Sequence, residues 1–338
     1  MNGKRPPIAS VHGVVAAAHP MAAQAGARIL REGGNAFDAI AATAAALNVG
    51  EPFMSGLAGM GMATMYVAKE KRVRTLDFIT KVPFKLPVER FKERDDLARG
   101  PLACSTPGNL AGWCTLVKTY GTKPLNDVFR PAIELARDGI VLTDFNEDKF
   151  MEGARELKKY KAFYDDWNKN YAFGKGKVKA GQVLKQTDLA KTYEAIVKDG
   201  PDHLYKGPLG KAFLAHMKKL GGVLTQADFD AVKPEWLEPV AADYRGMTVY
   251  TLPPPCEGFQ YLLTLRILDG FDLGRLERNG VEHLDIVYRA IRLAAAARIE
   301  HNNPSPKKLK ELLSDGFVAK LRKRVADGMP IDAPTQQW

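Results

Sequence analysis

Few residues of this chain have the types and spacing that nucleophilic catalysis needs. Cys256 follows three consecutive prolines at 253–255, at the end of a predicted strand, and His283 lies downstream as a candidate base. A thiol in a turn rich in proline and glycine is more often inert packing, however. The Gly-x-Ser-x-Gly motif of a serine nucleophile is absent from the sequence. The chain therefore has the size of an enzyme but no convincing pair of nucleophile and base.

The histidines, cysteines and glycines do not predict a metal or cofactor site. His12 and His19 are seven residues apart without a third ligand nearby, and the three cysteines contain no Cys-x-x-Cys pair. The glycine loop at 56–61 superficially matches a dinucleotide fingerprint, which needs a strand before it and a helix after it. Here the predicted helix precedes the loop and the predicted strand follows it. We therefore expect no metal and no cofactor.

Composition places the chain among ordinary globular proteins. Of its 338 residues, 46% are hydrophobic and 26% are charged, which excludes disordered, collagenous and coiled-coil classes. The length fits about two domains or one large α/β unit. The scattered cysteines suit a reducing compartment, and prolines and a histidine interrupt the first twenty residues where a signal peptide would be apolar. We expect a cytoplasmic protein that does not bind membranes.

The basic charge raises the question of nucleic acid. Lys and Arg total 49 against 39 for Asp and Glu, a formal charge of +10, which favours acidic partners. Residues 149–191 are the most basic stretch, and seven aromatic residues lie between Phe150 and Phe173. That composition suits single-stranded nucleic acid, but acidic residues are interspersed, as on a solvated helical face. We therefore expect no nucleic-acid partner.

Helices and a hairpin must position any functional residue. Apolar residues at helical spacing predict a helix that begins at Pro20 and stops at Gly33. The next helix, about 35–49, is built almost entirely of small residues, which predicts close packing on both sides. Alternation predicts two strands, 63–67 and 73–78, joined as a hairpin. Further helices are predicted at 109–120, 125–138, 188–199, 209–220, 259–268 and 282–301, with a strand at 247–252 and a capping-box helix start at Thr225 and Asp228.

A series of short motifs occurs in a characteristic order over about 13–298. It includes Gly13-Val-Val-Ala-Ala-Ala-His19-Pro20, Gly33-Gly34-Asn35-Ala36-x-Asp38-Ala39, Glu51-Pro52, Ser55-Gly56, Tyr120-Gly121, Tyr244-Arg245-Gly246 and Pro253-Pro254-Pro255. Each motif alone is weak, but the ordered series is specific. It resembles the γ-glutamyltranspeptidase family of N-terminal-nucleophile hydrolases.

The resemblance implies a four-layered αββα fold of the α/β class, made from a precursor that cuts itself into two subunits. This chain would be the large subunit, a single domain over 1–338 with a helical lobe at about 109–230 and a flexible tail at about 326–338. The catalytic threonine would then begin the small subunit, so that no catalytic residue lies in this chain. The implied partners are that small subunit and a small-molecule amide, and a dimer of such αβ pairs is compatible with the resemblance.

One departure from the family bears on the substrate. Transpeptidases carry Leu-Asp-x-Arg-Glu-x-x-Pro on the strand that we predict at 75–83, where the arginine clamps the substrate α-carboxylate. Residues 76–83 of this chain read LDFITKVP, so Ile79 stands at the position of the arginine. Lys81 would share the face of Ile79 on a strand and supply a point charge, or it is a surface lysine. Ile79, Thr80 and Lys81 are therefore the predicted substrate-binding residues.

These residues favour one function and leave alternatives open. The favoured reading is a threonine amidohydrolase that cleaves an amide through an acyl-enzyme and whose substrate is not an ordinary γ-glutamyl compound. A genuine γ-glutamyltransferase or glutathione hydrolase, with its carboxylate clamp moved to Lys81, is the first alternative. A scaffold homologue that has lost processing is the second.

Overall fold

A computed structural model describes residues 8–93 and 97–328. These residues form two compact units. The first comprises residues 8–61, 78–93 and 97–234, and the second comprises residues 62–77 and 235–328. Most of the predicted tail, residues 329–338, lies outside the described residues. The single domain expected from the sequence stays a prediction.

The first unit is mainly helical. Its helices are α1 (Pro20–Arg31), α2 (Ala36–Gly50), α3 (Asn109–Tyr120), α4 (Leu125–Asp138), α5 (Asp144–Leu157), α6 (Lys161–Asn170), α7 (Thr187–Asp199), α8 (Asp202–Tyr205), α9 (Pro208–Lys219) and α10 (Gln226–Asp230). Two short antiparallel strands, β3 (Ile140–Val141) and β4 (Val183–Leu184), pair with each other. The range predicted as a helical lobe, about 109–230, contains α3 to α10.

Helix α2 is central to this unit, as its small residues predict. It packs against α1, α3 and α4. A Cβ on Gly26 of α1 would lie 2.1 Å from Oγ1 of Thr43 and 2.9 Å from the carbonyl oxygen of Ala39, both on α2. Only a residue without a side chain permits that approach, which explains why α1 carries a glycine in its interior despite the cost in helix propensity.

A buried polar network fastens α2 to α7 and to the loop that follows α2. The amide of Asn48 donates to the hydroxyl of Tyr193 at 2.8 Å, and that hydroxyl donates to the carbonyl of Ala45 at 3.1 Å. Ser55 donates its hydroxyl to the side-chain oxygen of Asn48 at 2.7 Å. Tyr193 is fully buried, so these bonds satisfy groups that would otherwise be costly to bury.

The second unit combines short strands with four helices. Its strands are β1 (Gly61–Val67), β2 (Arg72–Phe78), β5 (Glu235–Leu237), β6 (Val240–Tyr244) and β7 (Met247–Thr251), and its helices are α11 (Phe259–Leu268), α12 (Val281–Glu300), α13 (Pro306–Leu312) and α14 (Asp315–Ala326). Strands β1 and β2 extend by one residue each, Gly61 and Phe78, into the first unit. β1, β2 and β5 form one sheet in that order, and β6 and β7 form a second.

Arg245 and Gly246, at the turn between β6 and β7, both have positive φ, the conformation that suits a two-residue hairpin turn. The family-like Tyr-Arg-Gly motif is therefore a hairpin turn.

The predicted elements occur close to their expected bounds, with one correction and several omissions. The strand predicted at 75–83 is wrong beyond Phe78, where β2 ends. The sequence patterns do not predict α5, α6, α8, α13 and α14, or the short strands β3 to β6. No helix among residues 8–93 and 97–328 is long and apolar enough to cross a bilayer.

Candidate functional site

The residues predicted to bind substrate, 79–81, follow directly after β2. Phe78, the last residue of β2, contacts the start of α3 and thereby determines the position of the chain where they begin. A Cβ on Gly112 would lie 2.3–2.6 Å from three ring carbons of Phe78, and a Cβ on Gly108 would lie 2.2 Å from its carbonyl oxygen. The start of α3 therefore needs glycine at both positions so that Phe78 can press against its backbone. This wedge sets the path of the chain into Ile79.

The glycine loop at 56–61 is fastened to the same end of α3. The backbone N–H groups of Gly108 and Asn109 donate to the carbonyl of Gly59 at 2.8 and 3.0 Å. The side-chain amide of Asn109 donates to the carbonyl of Gly56 at 2.7 Å. Two N–H groups at the start of a helix, which have no partner within the helix, are thereby satisfied. The loop serves as a positioned turn, as its inverted order in the sequence predicts.

Tyr205 of α8 holds this end of α3 from the other side. Its hydroxyl donates to the carbonyl of Pro107 at 3.0 Å and accepts the backbone N–H of Ala111 at 3.1 Å. Burial raises the pKa of this tyrosine above its ordinary value, so the hydroxyl keeps its proton at physiological pH. Tyr205 is therefore a positioning residue for the candidate site.

The backbone after Ile79 is held by two further side chains. The hydroxyl of buried Thr106 accepts the backbone N–H of Lys81 at 3.1 Å and donates to the carbonyl of Lys81 at 3.1 Å. The backbone N–H of Phe84 donates to the carboxylate of Asp228 at 2.7 Å. Residues 79–84 thus have a defined conformation although they lie beyond the strand.

Asp228 is an ionised anchor and not a catalytic acid. Burial raises its pKa, but hydrogen bonds from Thr225 and from the N–H of Phe84 outweigh this effect, so the net shift is downward. The carboxylate accepts both the hydroxyl and the N–H of Thr225, which is the capping box that the sequence predicts. Its bond to Phe84 links residues 144 apart and has no signal in the sequence.

Ile79 and Lys81 lie at the same small pocket. Its volume is about 30 Å³, and Thr106, Asp228 and Val232 also contribute to its wall. Such a volume admits a water-sized group but no amino acid. Thr80 does not line this pocket, and its hydroxyl lies 3.5 Å from Sδ of Met60. Two of the three predicted substrate-binding residues are thus brought together, and the described residues there do not by themselves enclose a substrate.

The structure also shows what surrounds the cysteines and histidines that are candidates for chemistry. Within the described residues no hydrogen bond joins Cys256 to His283, and the neighbouring Glu257 instead pairs with the largely buried guanidinium of Arg298. Burial raises the pKa of Cys114 to about 12, so that thiol is not a nucleophile at neutral pH. Over residues 8–93 and 97–328, no three His, Cys, Asp or Glu side chains are grouped as metal ligands.

Comparisons with known proteins agree on one family. The family model described as gamma-glutamyltranspeptidase matches residues 22–336. The Acylase ACY 1 proenzyme of Pseudomonas sp. (strain SE83) is 34% identical over 309 residues, which cover 87% of this chain and 54% of that protein. The glutathione hydrolase proenzyme of Escherichia coli (strain K12) is also 34% identical, over 306 residues that cover 87% of this chain and 51% of that protein.

A solved structure supports the same assignment. The crystal structure of Helicobacter pylori gamma-glutamyltranspeptidase has a TM-score of 0.88 and 28% identity, and the match covers 98% of this chain and 95% of that chain. This likeness confirms the predicted fold class, that of the N-terminal-nucleophile hydrolases. The chain spans about half the length of the curated relatives that it matches. Taken with the ordered motifs, these matches show that the chain belongs to the gamma-glutamyltranspeptidase family and is its large-subunit region.

Proposed function

We propose that this chain is the large subunit of a threonine amidohydrolase whose substrate lacks the amino-acid head group of γ-glutamyl compounds. The observation that carries the proposal is Ile79. It stands at the position where the family resemblance places an arginine, and it lines the pocket behind the 78–84 segment. An isoleucine side chain has no hydrogen-bond donor and no charge, so it cannot replace a guanidinium that binds a carboxylate through two parallel bonds.

The proposed chemistry is acyl transfer with a nucleophile outside this chain. A threonine at the start of the small subunit attacks the amide carbonyl through its hydroxyl oxygen, and the hydroxyl proton passes to the α-amine of the same residue. That proton then goes to the departing amine, which leaves an ester between the acyl group and the threonine. Water hydrolyses the ester and regenerates the hydroxyl. The large subunit supplies walls of the acyl site and no reacting atom.

Two observations support a nucleophile that lies on a separate small subunit. Within the described residues no serine hydroxyl or cysteine thiol is hydrogen-bonded to a histidine ring. The relatives at 34% identity are both named proenzymes and are about twice as long as the aligned region. We therefore propose a small subunit from the same precursor as the partner of this chain.

A second function is favoured by one specific contact. Lys81 lines the same pocket as Ile79, and its side chain is exposed while its backbone is clamped by Thr106. An ammonium held there would attract an α-carboxylate as a point charge. In that case the protein is a γ-glutamyltransferase or glutathione hydrolase with a relocated clamp.

A matched pair of substrates separates the two functions. The p-nitroanilides of γ-glutamate and of 4-aminobutyrate differ in the α-carboxylate, so the ratio of their kcat/KM values measures how strongly that carboxylate is recognised. We expect a ratio near one, or in favour of 4-aminobutyryl, for the processed protein. A strong preference for γ-glutamyl would contradict the proposed function.

Three variants show which side chain determines the ratio of the two kcat/KM values. Ile79→Arg is expected to raise the preference for γ-glutamyl by about 10- to 100-fold, since a hydrogen-bonded charge pair contributes roughly 1.5–3 kcal/mol. Ile79→Leu is the matched control and should leave the ratio unchanged. Lys81→Met should have no effect on the ratio. A collapse of γ-glutamyl turnover in Lys81→Met would establish the relocated clamp instead.

The proposed nucleophile has a separate test. Intact mass and amino-terminal sequencing of every polypeptide in the purified protein should reveal a second chain that begins with threonine. A single unprocessed chain would favour the scaffold homologue.

A further inference from the structure

A second, larger pocket in the first unit has no role in the site described above. It lies where α5 and α6 meet the residues after α2, and its volume is about 380 Å³. This volume is within the range of roughly 300–1,000 Å³ that is typical of small-molecule sites. We call it the aromatic pocket because five rings line it: Phe53, Phe150, Phe163, Trp167 and Tyr171.

The walls of the aromatic pocket are rings that pack against one another. Phe150 and Trp167 are only 3% and 7% exposed. The ring of Phe150 makes an edge contact with Phe53, with centroids 5.1 Å apart, and lies 5.4 Å from the ring of Tyr171. Rings packed in this way are fixed by their neighbours. They form walls of a concave site.

A glycine lines the aromatic pocket. Gly153 lies in the interior of α5, has no positive φ, and lines the pocket. A Cβ at this position would meet no heavy atom within 4 Å. Glycine in a helix interior lowers stability relative to alanine, and neither backbone conformation nor close packing requires it here. Because Gly153 lines the pocket, a large side chain at this position would add volume at the pocket wall.

Charge around the aromatic pocket favours an anion. The charged residues among its described lining are two cations, Arg99 and Lys149, and one carboxylate, that of Asp166. Lys149 pairs with Glu152 at 2.6 Å, which leaves Arg99 as the principal cation. The guanidinium of Arg99 donates to the carbonyl of its neighbour Ala98, and a guanidinium has five N–H donors. Residues 149–191, which supply most of the pocket lining, contain eleven basic and five acidic residues, a net charge of +6.

From these features we propose that the aromatic pocket binds an aromatic carboxylic acid of one or two fused rings. The apolar rings would stack against or meet the edges of the five aromatic side chains. The carboxylate would lie toward the guanidinium of Arg99, which matches its planar geometry. The proposal is independent of the catalytic function, because no residue of the 78–84 segment takes part in it.

Calorimetric titration of the processed, complete protein with 2-naphthoate tests the proposal. We expect saturable binding with one site per large subunit. Gly153→Leu should weaken binding at least tenfold because its side chain fills the pocket, and it should not impair folding because leucine favours the helix. The matched control is Gly316→Leu on α14, an exposed helical glycine that also has open space around it.

Arg99→Met and the neutral analogue 2-naphthamide test the charge. Arg99→Met should weaken 2-naphthoate about tenfold and leave 2-naphthamide unchanged, while 2-naphthylmethylamine should bind more weakly than either. Equal affinity of Gly153→Leu and wild type for 2-naphthoate would overturn the proposed site. Tighter binding of the amine than of the acid would overturn the proposed class of ligand. None of these binding measurements depends on amide hydrolysis. Their outcome is therefore independent of whether the proposed function is correct.

Discussion

Replacement of Gly112 by alanine tests how the candidate site is positioned. The new Cβ would lie 2.3, 2.5 and 2.6 Å from Cγ, Cδ2 and Cδ1 of Phe78. These atoms are at the root of the ring, so a rotation of the side chain does not clear them. Phe78 and the start of α3 must move apart, and Ile79 moves with its neighbour.

The expected magnitude follows from two opposing effects. Overpacking of this kind costs about 1–3 kcal/mol, whereas exchange of glycine for alanine in a helix gains up to about 1 kcal/mol. The net expectation is a loss of about 1–2 kcal/mol. For a protein of this size, that loss corresponds to a decrease in Tm of roughly 2–8 °C.

Thermal unfolding of the processed protein, followed by circular dichroism, provides the assay. Gly153→Ala is the matched control, because a Cβ there meets no atom within 4 Å. It should raise the free energy of unfolding by about 0.5–1 kcal/mol. If Gly112→Ala is as stable as Gly153→Ala, Phe78 is not wedged against α3 and the account of the site is wrong. Steady-state kinetics should also change in Gly112→Ala and remain unchanged in Gly316→Ala, whose glycine is exposed on α14 and has open space around its Cβ position.

Two further predictions concern buried polar groups of the first unit. Asp38→Ala should lower the free energy of unfolding by about 2–4 kcal/mol in urea titrations, because the buried carboxylate accepts the N–H groups of Asn35 and Thr122; an unchanged urea midpoint would contradict this. Burial raises the pKa of Tyr193 and Tyr205, so the folded state keeps protons that the unfolded chain releases near pH 10. The free energy of unfolding should therefore keep its full value below about pH 10 and decrease as the pH rises further. Tyr205→Phe should lower the free energy of unfolding by about 1–2 kcal/mol at neutral pH, but its decrease at alkaline pH should be shallower. An identical alkaline decline in Tyr205→Phe would exclude the role of Tyr205.

Helices with a strong local signal were predictable. The helix from Pro20 shows its starting proline, its apolar face and its terminal Gly33 in the sequence, and the structure ends it at Arg31. Its neighbour α2 is predicted from its run of small residues, and the structure begins it at Ala36 after a capping box formed by Asn35 and Asp38. These signals lie within a few residues of the structure that they specify.

Elements with weak local signals were not predictable. The aromatic residues of α5 and α6 lie among many lysines and indicated only a solvated face. In the structure the interspersed acids are exposed as expected, but Phe150 and Trp167 are buried. Which side of such a helix is buried depends on the residues packed against it, and those come from elsewhere in the chain. Strand β2 likewise ends at Phe78 because that residue packs against the backbone at Gly108 and Gly112, which lie more than 25 positions away in the sequence.

The sequence by itself determined the family, the order of the main helices and the substitution of Ile79 for an arginine. Ordered motifs and helix periodicity are carried by neighbouring residues, so they can be read without coordinates. Only the tertiary structure decided that Ile79 and Lys81 share a pocket, that Thr106, Tyr205 and Asp228 position them, and that Gly153 opens onto a cavity. Each of these relations depends on residues distant in sequence, whose contacts are fixed by the packing of whole elements and not by local preference.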